Sequence, residues 1–308
     1  MQGRDTVRRK LEAAILETVL YSDLFDYPLT YAEIAHYLIR VDADVEAVCA
    51  CLASPRFLNG HLQQIDGLVY AGRRESIVER RRARRAPSGR LWMRARRFAR
   101  LLALLPFVRM VAVTGALAMN NSTSDDDIDV LIITAPRRVW LARLFAVGLV
   151  LVGKLFGDTL CPNYIIGEDA LALERHDLFV AHEFVQMVPL YGLDVYDAMR
   201  RANTWVHAFM PNARSPFRRE PEIRTAWIDR FAKRVGERLL SGRLGDALEE
   251  WEMRRKQRKF SARISNASDA VLDHSHVKGH FNDYGAQVLQ LYAELLAQFP
   301  LADSEPET

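Results

Sequence analysis

The chain has little cysteine, and this excludes two classes of small-protein architecture. Only three cysteines occur among its 308 residues. Cys49 and Cys51 are too close in sequence for an unstrained disulfide on a helix, and Cys161 is far from both. The sequence therefore predicts neither a disulfide framework nor a cysteine-based zinc site.

Long apolar runs and a secretion signal are also lacking. The most apolar stretch, residues 139–156, is interrupted by Arg143 and Lys154, so its uncharged part is shorter than the roughly 20 residues that span a bilayer. We expect a buried helix there and no membrane partner. The N-terminal segment alternates charges within its apolar pattern and has no small-residue cleavage site, which favours a cytoplasmic protein.

The composition is that of a folded protein whose charge is unevenly placed. Hydrophobic residues make up 49% and charged residues 26%, enough to bury a full core, and the length predicts two or three compact units. The net charge is +3, yet the basic segment from Arg73 to Arg100 holds twelve arginines and two glutamates. This segment could bind nucleic-acid phosphates or be the solvated face of a linker helix, and both interpretations stay open.

The first 75 residues predict three helices followed by a hairpin. Thr30 and Glu33 are spaced as a capping box that opens the second helix, a third helix fits residues 44–52, and Asp66-Gly67 suits a hairpin turn. This order resembles the winged-helix domains of bacterial DNA-binding proteins. The third helix is acidic, which disfavours the major groove, so a protein-contact or positioning role is equally open.

The rest of the chain predicts an α+β protein with a central sheet. Pro87-Ser88-Gly89 predicts a joint in the basic segment, and strands are expected at 108–114, at 128–134 and, more briefly, at 164–166. From residue 214 the pattern is almost wholly helical. We therefore predict a winged-helix-like domain at 1–75, a basic helical linker at 76–105, a mixed-sheet domain at 106–213 and a C-terminal helical domain at 214–308.

Residues 113–132 carry the chemistry that the sequence suggests. Strand side chains alternate between faces, so Asp127 and Asp129 share one face while Ile128 and Val130 enter the core. Two adjacent carboxylates repel one another unless a divalent cation lies between them, and such ligands suit Mg²⁺ held with substrate phosphates. Gly115, at the end of the preceding strand, allows a backbone to approach those phosphates.

This arrangement resembles the nucleotidyltransferases of the DNA polymerase beta superfamily, whose signature is a Gly turn, a loop and Asp-hydrophobic-Asp on a strand. Thr114-Gly115-Ala116 and Asp127-Ile128-Asp129 match its two halves. The resemblance implies a mixed sheet with helices, Mg²⁺ or Mn²⁺ at Asp127 and Asp129, and transfer of an NMP group from a nucleoside triphosphate to a hydroxyl acceptor. Gly115, Ala116 and Ser124 would then contact the nucleotide.

The family's third carboxylate has no obvious counterpart. The matching strand offers Asn163, which we take as the third site residue, and an amide cannot act as a general base at neutral pH. Asp158 and Glu168 flank this strand and could substitute. The alternative function is a catalytically degenerate nucleotidyltransferase-fold protein that senses nucleotide or binds nucleic acid as a regulator.

Two further sets of side chains have competing interpretations. His274, His276 and His280 suggest zinc, but their spacing matches no common zinc site, and surface histidines are the other interpretation. Asp125 and Asp126 solvate the loop before the aspartate pair, where Ser122, Thr123 or Ser124 could also order a phosphate.

Overall fold

A computed structural model describes residues 2–53, 61–72, 74–154, 160–260, 272–278 and 284–299. These residues form an α+β structure, which confirms the predicted class. Two sheets are present in the described part of the chain, one of three strands and one of five. No described helix is long and apolar enough to cross a bilayer.

The N-terminal part combines helices with the smaller sheet. Its elements are, in chain order, α1 (Gln2–Asp23), β1 (Leu29–Thr30), α2 (Tyr31–His36), α3 (Val45–Leu52), β2 (Leu62–Ile65) and β3 (Leu68–Ala71). The strand order is β1-β3-β2, with both pairings antiparallel.

Local sequence signals explain where these elements begin and turn. The Thr30 hydroxyl accepts a hydrogen bond from the Glu33 N–H, and the Glu33 carboxylate accepts one from the Thr30 N–H at 2.8 Å. This reciprocal pair confirms the predicted capping box. Between β2 and β3, Asp66 and Gly67 both have positive φ, 50° and 76°, as a two-residue hairpin turn of type I′ requires.

The basic segment forms one continuous helix, so the predicted joint at 87–89 is wrong. This helix, α4, runs from Ser76 to Leu104 with Pro87 inside it. Proline removes one helical hydrogen bond, but Ser88 is buried and binds the backbone of Ser122, accepting from its N–H at 3.1 Å and donating to its carbonyl at 3.3 Å. This tertiary contact directly after Pro87 helps to keep the helix continuous.

The central part builds most of the five-stranded sheet. Its elements are β4 (Val108–Val113), α5 (Gly115–Ala118), β5 (Ile128–Thr134), α6 (Val139–Lys154), β6 (Leu160–Gly167), α7 (Leu178–Gln186), β7 (Val188–Tyr191), α8 (Leu193–Ala202) and α9 (Val206–Phe209). The β6 strand is longer than the three residues predicted. The buried helix predicted at 139–156 corresponds to α6, in which Val139, Trp140 and Ala146 are buried.

The C-terminal part adds helices and one strand. It contains α10 (Trp227–Leu240), α11 (Arg243–Phe260), β8 (His276–Lys278) and α12 (Tyr284–Ala297). The nearly all-helical pattern predicted after residue 214 thus misses β8, which pairs antiparallel with β6. The α12 helix packs on α1, where the Tyr292 hydroxyl donates to the Glu17 carbonyl at 3.1 Å. The domain boundaries at 75, 105 and 213 stay predictions.

The large sheet is mixed and is covered on both faces. Its strand order is β7-β4-β5-β6-β8, with β5 and β6 parallel and the other neighbours antiparallel. Alternate residues of β5 enter different cores. Ile128, Val130 and Ile132 pack with α4 and α6, whereas Leu131 and Ile133 join the core that contains α1 and α7.

Candidate functional site

The two aspartates lie at the N-terminal end of β5. Asp129 is half-buried, and Asp127 is exposed directly before the strand. The buried positions of Ile128 and Val130 confirm the predicted alternation. Because Asp129 shares its face with Leu131, its carboxylate lies on the side of the sheet that carries the N-terminal helices.

Gly115 approaches Asp129 closely and needs to be glycine. Its φ is +64°, in the left-handed region. A Cβ placed there would lie 2.9 Å from the Asp129 Oδ2 atom. The adjacent Thr114 N–H donates to the Asp129 carbonyl at 3.1 Å. The predicted Gly turn and aspartate strand are therefore in direct contact.

Burial and the neighbouring carboxylates disfavour the ionised form of Asp129. The pKa of Asp129 is raised from 3.8 to about 6, with burial as the largest cause. The neighbouring carboxylates of Asp127 and Asp126 contribute to this rise, and a hydrogen bond from Cys161 opposes it. A carboxylate in this state gains from a nearby positive charge. A divalent cation nearby would therefore stabilise the ionised form of Asp129.

The loop before the aspartates is ordered by its own side chains. Asp126 accepts hydrogen bonds from the Thr123 N–H at 2.9 Å and hydroxyl at 2.8 Å, and the exposed Ser124 hydroxyl bonds to Asp125 at 3.3 Å. Ser122 is buried against Ser88. The structure thus does not bring Ser124 to the wall that Gly115 and Ala116 share with Asp129.

The neighbouring strand presents Cys161 and Asn163 rather than a carboxylate. Cys161 pairs with Asp129 in the parallel register, and the register shifts at Val130, so Asn163 is the extra residue of a bulge. Sequence reasoning missed Cys161 as a neighbour of Asp129, although pairing of the two predicted strands brings it there.

Of the other two candidate acids, the structure places only Glu168, and it lies far from the site. Glu168 follows the opposite end of β6, where its N–H bonds to Thr134. Thr134 is five residues along β5 from Asp129, or about 16 Å at the usual strand rise. Asp158 lies outside the described residues.

A cavity of about 880 Å³ adjoins this end of the sheet. Gly115, Ala116, Asp129 and Asn163 are among its lining residues, whereas Asp127 is not. The opposite wall comes from the N-terminal part and α7, and much of the lining is aromatic or sulfur-containing, including Tyr21, Tyr27, Tyr37, Met119, Tyr164 and Phe179. A space of this size accommodates a small-molecule ligand.

His182 is a buried part of the cavity wall that the sequence did not suggest. Its ring stacks on Tyr21 with centroids 3.9 Å apart, and its Nε2 has no hydrogen-bond partner among the described residues. Burial lowers its pKa to about 3. The imidazole is therefore neutral at physiological pH, and only the fold brings α1 and α7 together at this point.

The candidate zinc histidines do not form a metal cluster in the part of the chain that is described. No group of three His, Cys, Asp or Glu side chains there could hold an ion. His276 lies on β8, lines the cavity and has its Nδ1 3.4 Å from Asp273. His280 lies outside the described residues.

The two aspartates alone supply too few ligands for a cation, so a bound substrate would have to supply the others. Asp127 and Asp129 supply two carboxylates, and Mg²⁺ is commonly held by one or two carboxylates plus phosphates and water. Cys161 and Asn163 add no third carboxylate. These described donors suit one Mg²⁺ or Mn²⁺ ion bound with a triphosphate better than they suit the two-ion site of the nucleotidyltransferases that the motif resembles.

Much of the basic segment is engaged within the protein. Arg81 binds the buried Glu33 through both terminal nitrogens at 2.9 Å, and Arg84 donates to Asn121 at 2.9 Å. Arg80 pairs with Asp26 at 2.5 Å. Phosphate binding by the first half of α4 would thus compete with contacts that hold the N-terminal part in place, and a nucleic-acid partner stays a prediction.

Comparison with known proteins adds no assignment. No protein-family model matches the chain, and no curated protein or solved structure is significantly similar to it.

Proposed function

We propose that this protein is a metal-dependent nucleotidyltransferase that transfers an NMP group from a nucleoside triphosphate to a hydroxyl acceptor. The observation that carries the proposal is the contact between the Gly115 turn and Asp129 at the wall of the cavity. Such a contact places a backbone without a side chain beside a carboxylate, an arrangement suited to a metal-bound phosphate chain.

Asp127 and Asp129 would hold the cation. In this proposal Mg²⁺ or Mn²⁺ supplies positive charge that offsets the triphosphate and the repulsion between the two carboxylates. The raised pKa of Asp129 supports this role, because a buried carboxylate beside two other acids gains from such a charge.

The remaining groups would position the reactants. The backbone of Gly115 and Ala116 can contact phosphate oxygens, and Ala116 lacks the hydroxyl that the family often places there. The Asn163 amide can hydrogen-bond the acceptor hydroxyl but cannot take its proton. The aromatic wall formed by Tyr21 and Tyr37 would shield one reactant from water.

The N-terminal part is proposed to be a winged-helix-like unit that forms this wall. The order of its helices and antiparallel strands supports this proposal, because it resembles the order in winged-helix domains. Asp44 caps the third helix, α3, by accepting from the Ala47 N–H at 2.8 Å, and the first turn of the helix adds Glu46. This acidic start is unsuited to DNA, so positioning of the cavity wall suits the unit better.

A nucleotide sensor without catalysis is the second candidate. It is favoured by Cys161 and Asn163, which stand beside Asp129 where the family would place an acid. A protein of this kind would bind the nucleotide with a metal ion, and the bound nucleotide would change the conformation of the cavity wall.

Label transfer distinguishes the two candidates. Each NTP, labelled at its α-phosphate, is incubated with the protein, Mg²⁺ or Mn²⁺, and protein, RNA or a cell extract as acceptor. The enzyme proposal predicts transferred label that Asp127→Asn with Asp129→Asn abolishes, while the control Asp125→Asn, an exposed residue of the same loop, retains it. Metal-dependent binding without transfer to any acceptor would favour the sensor.

A further inference from the structure

The α10 helix points its apolar side chains away from the protein. Five of its six large apolar residues follow positions i, i+1, i+4, i+8 and i+12, which share one sector of about 120° at 100° per residue; the sixth, Leu240, is half-buried outside this sector. The five are Trp227, Ile228, Phe231, Val235 and Leu239, here called the apolar stripe. Trp227 and Leu239 are each 72% exposed and Phe231 is 62% exposed.

The charged side of the same helix faces the protein. Lys233 donates to the carbonyls of Ala103, at 2.9 Å, and Val108, at 2.5 Å. Glu237 accepts from the Arg109 side chain at 2.6 Å and from the Phe107 N–H at 2.8 Å. A surface helix normally buries its apolar side. Here specific polar contacts fix the reverse orientation.

The exposed apolar area is as large as the largest patch of a typical soluble monomer. An aromatic side chain has roughly 150 to 250 Å² of surface, so Trp227 and Phe231 together expose on the order of 250 Å². Ile228, Val235 and Leu239 extend this to on the order of 450 Å², and a patch of this size is often functional. Its contiguity on one helix favours a surface that binds a partner.

The charges bordering the apolar stripe are positive. Arg230, Arg234 and Arg238 are exposed along one edge, and Arg234 and Arg238 have no side-chain hydrogen bond or ion pair among the described residues. The acids of the helix are used elsewhere: Asp229 accepts from the Ala226 N–H at 3.1 Å, and Glu237 binds Arg109. The partner should therefore be both apolar and anionic.

We propose that α10 binds the surface of an anionic lipid bilayer. Interfacial helices combine Trp, Phe and Leu on one side with arginines at its border, lie in the plane of the membrane and need no groove. A second copy of the chain is disfavoured, because an antiparallel two-fold contact through the stripe would bring the arginines of both copies to the same edge. The prediction of no membrane partner rested on the lack of a spanning segment, which surface binding does not require.

Vesicle sedimentation of the full-length protein tests this proposal. The vesicles are phosphatidylcholine alone or phosphatidylcholine with an equal amount of phosphatidylglycerol. We expect binding to the anionic vesicles that weakens with salt. Phe231→Ser with Leu239→Ser should lower the partition coefficient about a hundredfold, and Arg234→Gln with Arg238→Gln about thirtyfold. Leu291→Ser, at a similarly exposed leucine of α12, is the control and should change little.

Several results would overturn the proposal. These are failure of the wild type to bind anionic vesicles, equal binding to both vesicle types, or an equal loss in the Leu291→Ser control. Light scattering on the lipid-free protein could give a fourth contradicting result. If the wild type is a dimer and the Phe231→Ser, Leu239→Ser variant is a monomer, the stripe is a self-association surface. Circular dichroism of each variant checks that it is folded.

Discussion

Replacing Gly115 by alanine should damage nucleotide binding more than it damages stability. The residue has φ +64°, and its added Cβ would lie 2.9 Å from Asp129 Oδ2. Gly72 is a matched control, because its φ is also +64° but an added Cβ meets nothing within 4 Å. The two substitutions therefore share the backbone strain and differ in the contact with the aspartate.

The expected magnitudes follow from these geometries. An L-residue in the left-handed region costs about 1 to 2 kcal/mol, and the reduced entropy of the unfolded chain returns about 0.4 to 1 kcal/mol. Both variants should thus lose about 1 kcal/mol of unfolding free energy. In Gly115→Ala the Asp129 carboxylate must also move by a few tenths of an ångström, because the close contact is with the end of its side chain.

Urea unfolding and calorimetric titration with a nucleotide and Mg²⁺ measure the two effects separately. We expect Gly72→Ala to retain wild-type affinity and Gly115→Ala to bind at least about tenfold more weakly, a change of about 1.4 kcal/mol. Wild-type affinity in a folded Gly115→Ala variant would show that the Gly115–Asp129 contact is not part of the nucleotide site, as would equal losses in both variants.

Three further substitutions test the charges of the site and of the fold. The pKa of Asp129 is raised from 3.8 to about 6, so the free energy of unfolding of the wild type falls as pH rises between these values. Without metal, Asp129→Asn should therefore be up to about 3 kcal/mol more stable than the wild type in urea unfolding at pH 8. The two proteins should have similar stability at pH 4. Arg81→Ala leaves Glu33 buried without its partner and should lose about 3 to 5 kcal/mol in thermal unfolding, and a loss below 1 kcal/mol would contradict the structural role of this pair. Asn163→Asp should raise the rate of label transfer about 10² to 10⁴-fold by supplying a base, and no gain with binding preserved would show that Asn163 does not occupy the third position.

Local signals predicted the parts of the fold that depend on neighbouring residues. The Thr30–Glu33 capping box and the Asp66-Gly67 turn are set by hydrogen bonds and φ angles within a few residues, so the sequence alone identifies them. The strands around residues 108–114 and 128–134 were likewise evident from continuous apolar runs bounded by polar segments.

Features that depend on distant contacts could not be predicted in this way. Pro87 breaks a helix by local rules, yet the contact of Ser88 with Ser122 keeps α4 continuous. The short strand β8 is specified by its pairing with β6 rather than by its own three residues. Local sequence also could not show that a bulge makes Asn163 the extra residue on β6.

The candidate site shows the same division. The sequence predicted the approach of Gly115 to the Asp129 strand, which follows from one strand and one turn. It did not predict the cavity wall, because Tyr21 and His182 line the same cavity as Asp129 only after the N-terminal helices pack against the sheet.

Titration of the purified full-length protein with each nucleoside triphosphate, with and without Mg²⁺, tests the proposed site most directly. We expect binding only when the divalent cation is present, because Asp127 and Asp129 would otherwise repel the phosphates. We also expect that binding is lost in the Asp127→Asn, Asp129→Asn double variant and kept in Asp125→Asn. Metal-independent binding, or unchanged metal-dependent affinity in the double variant, would contradict the assignment of the site.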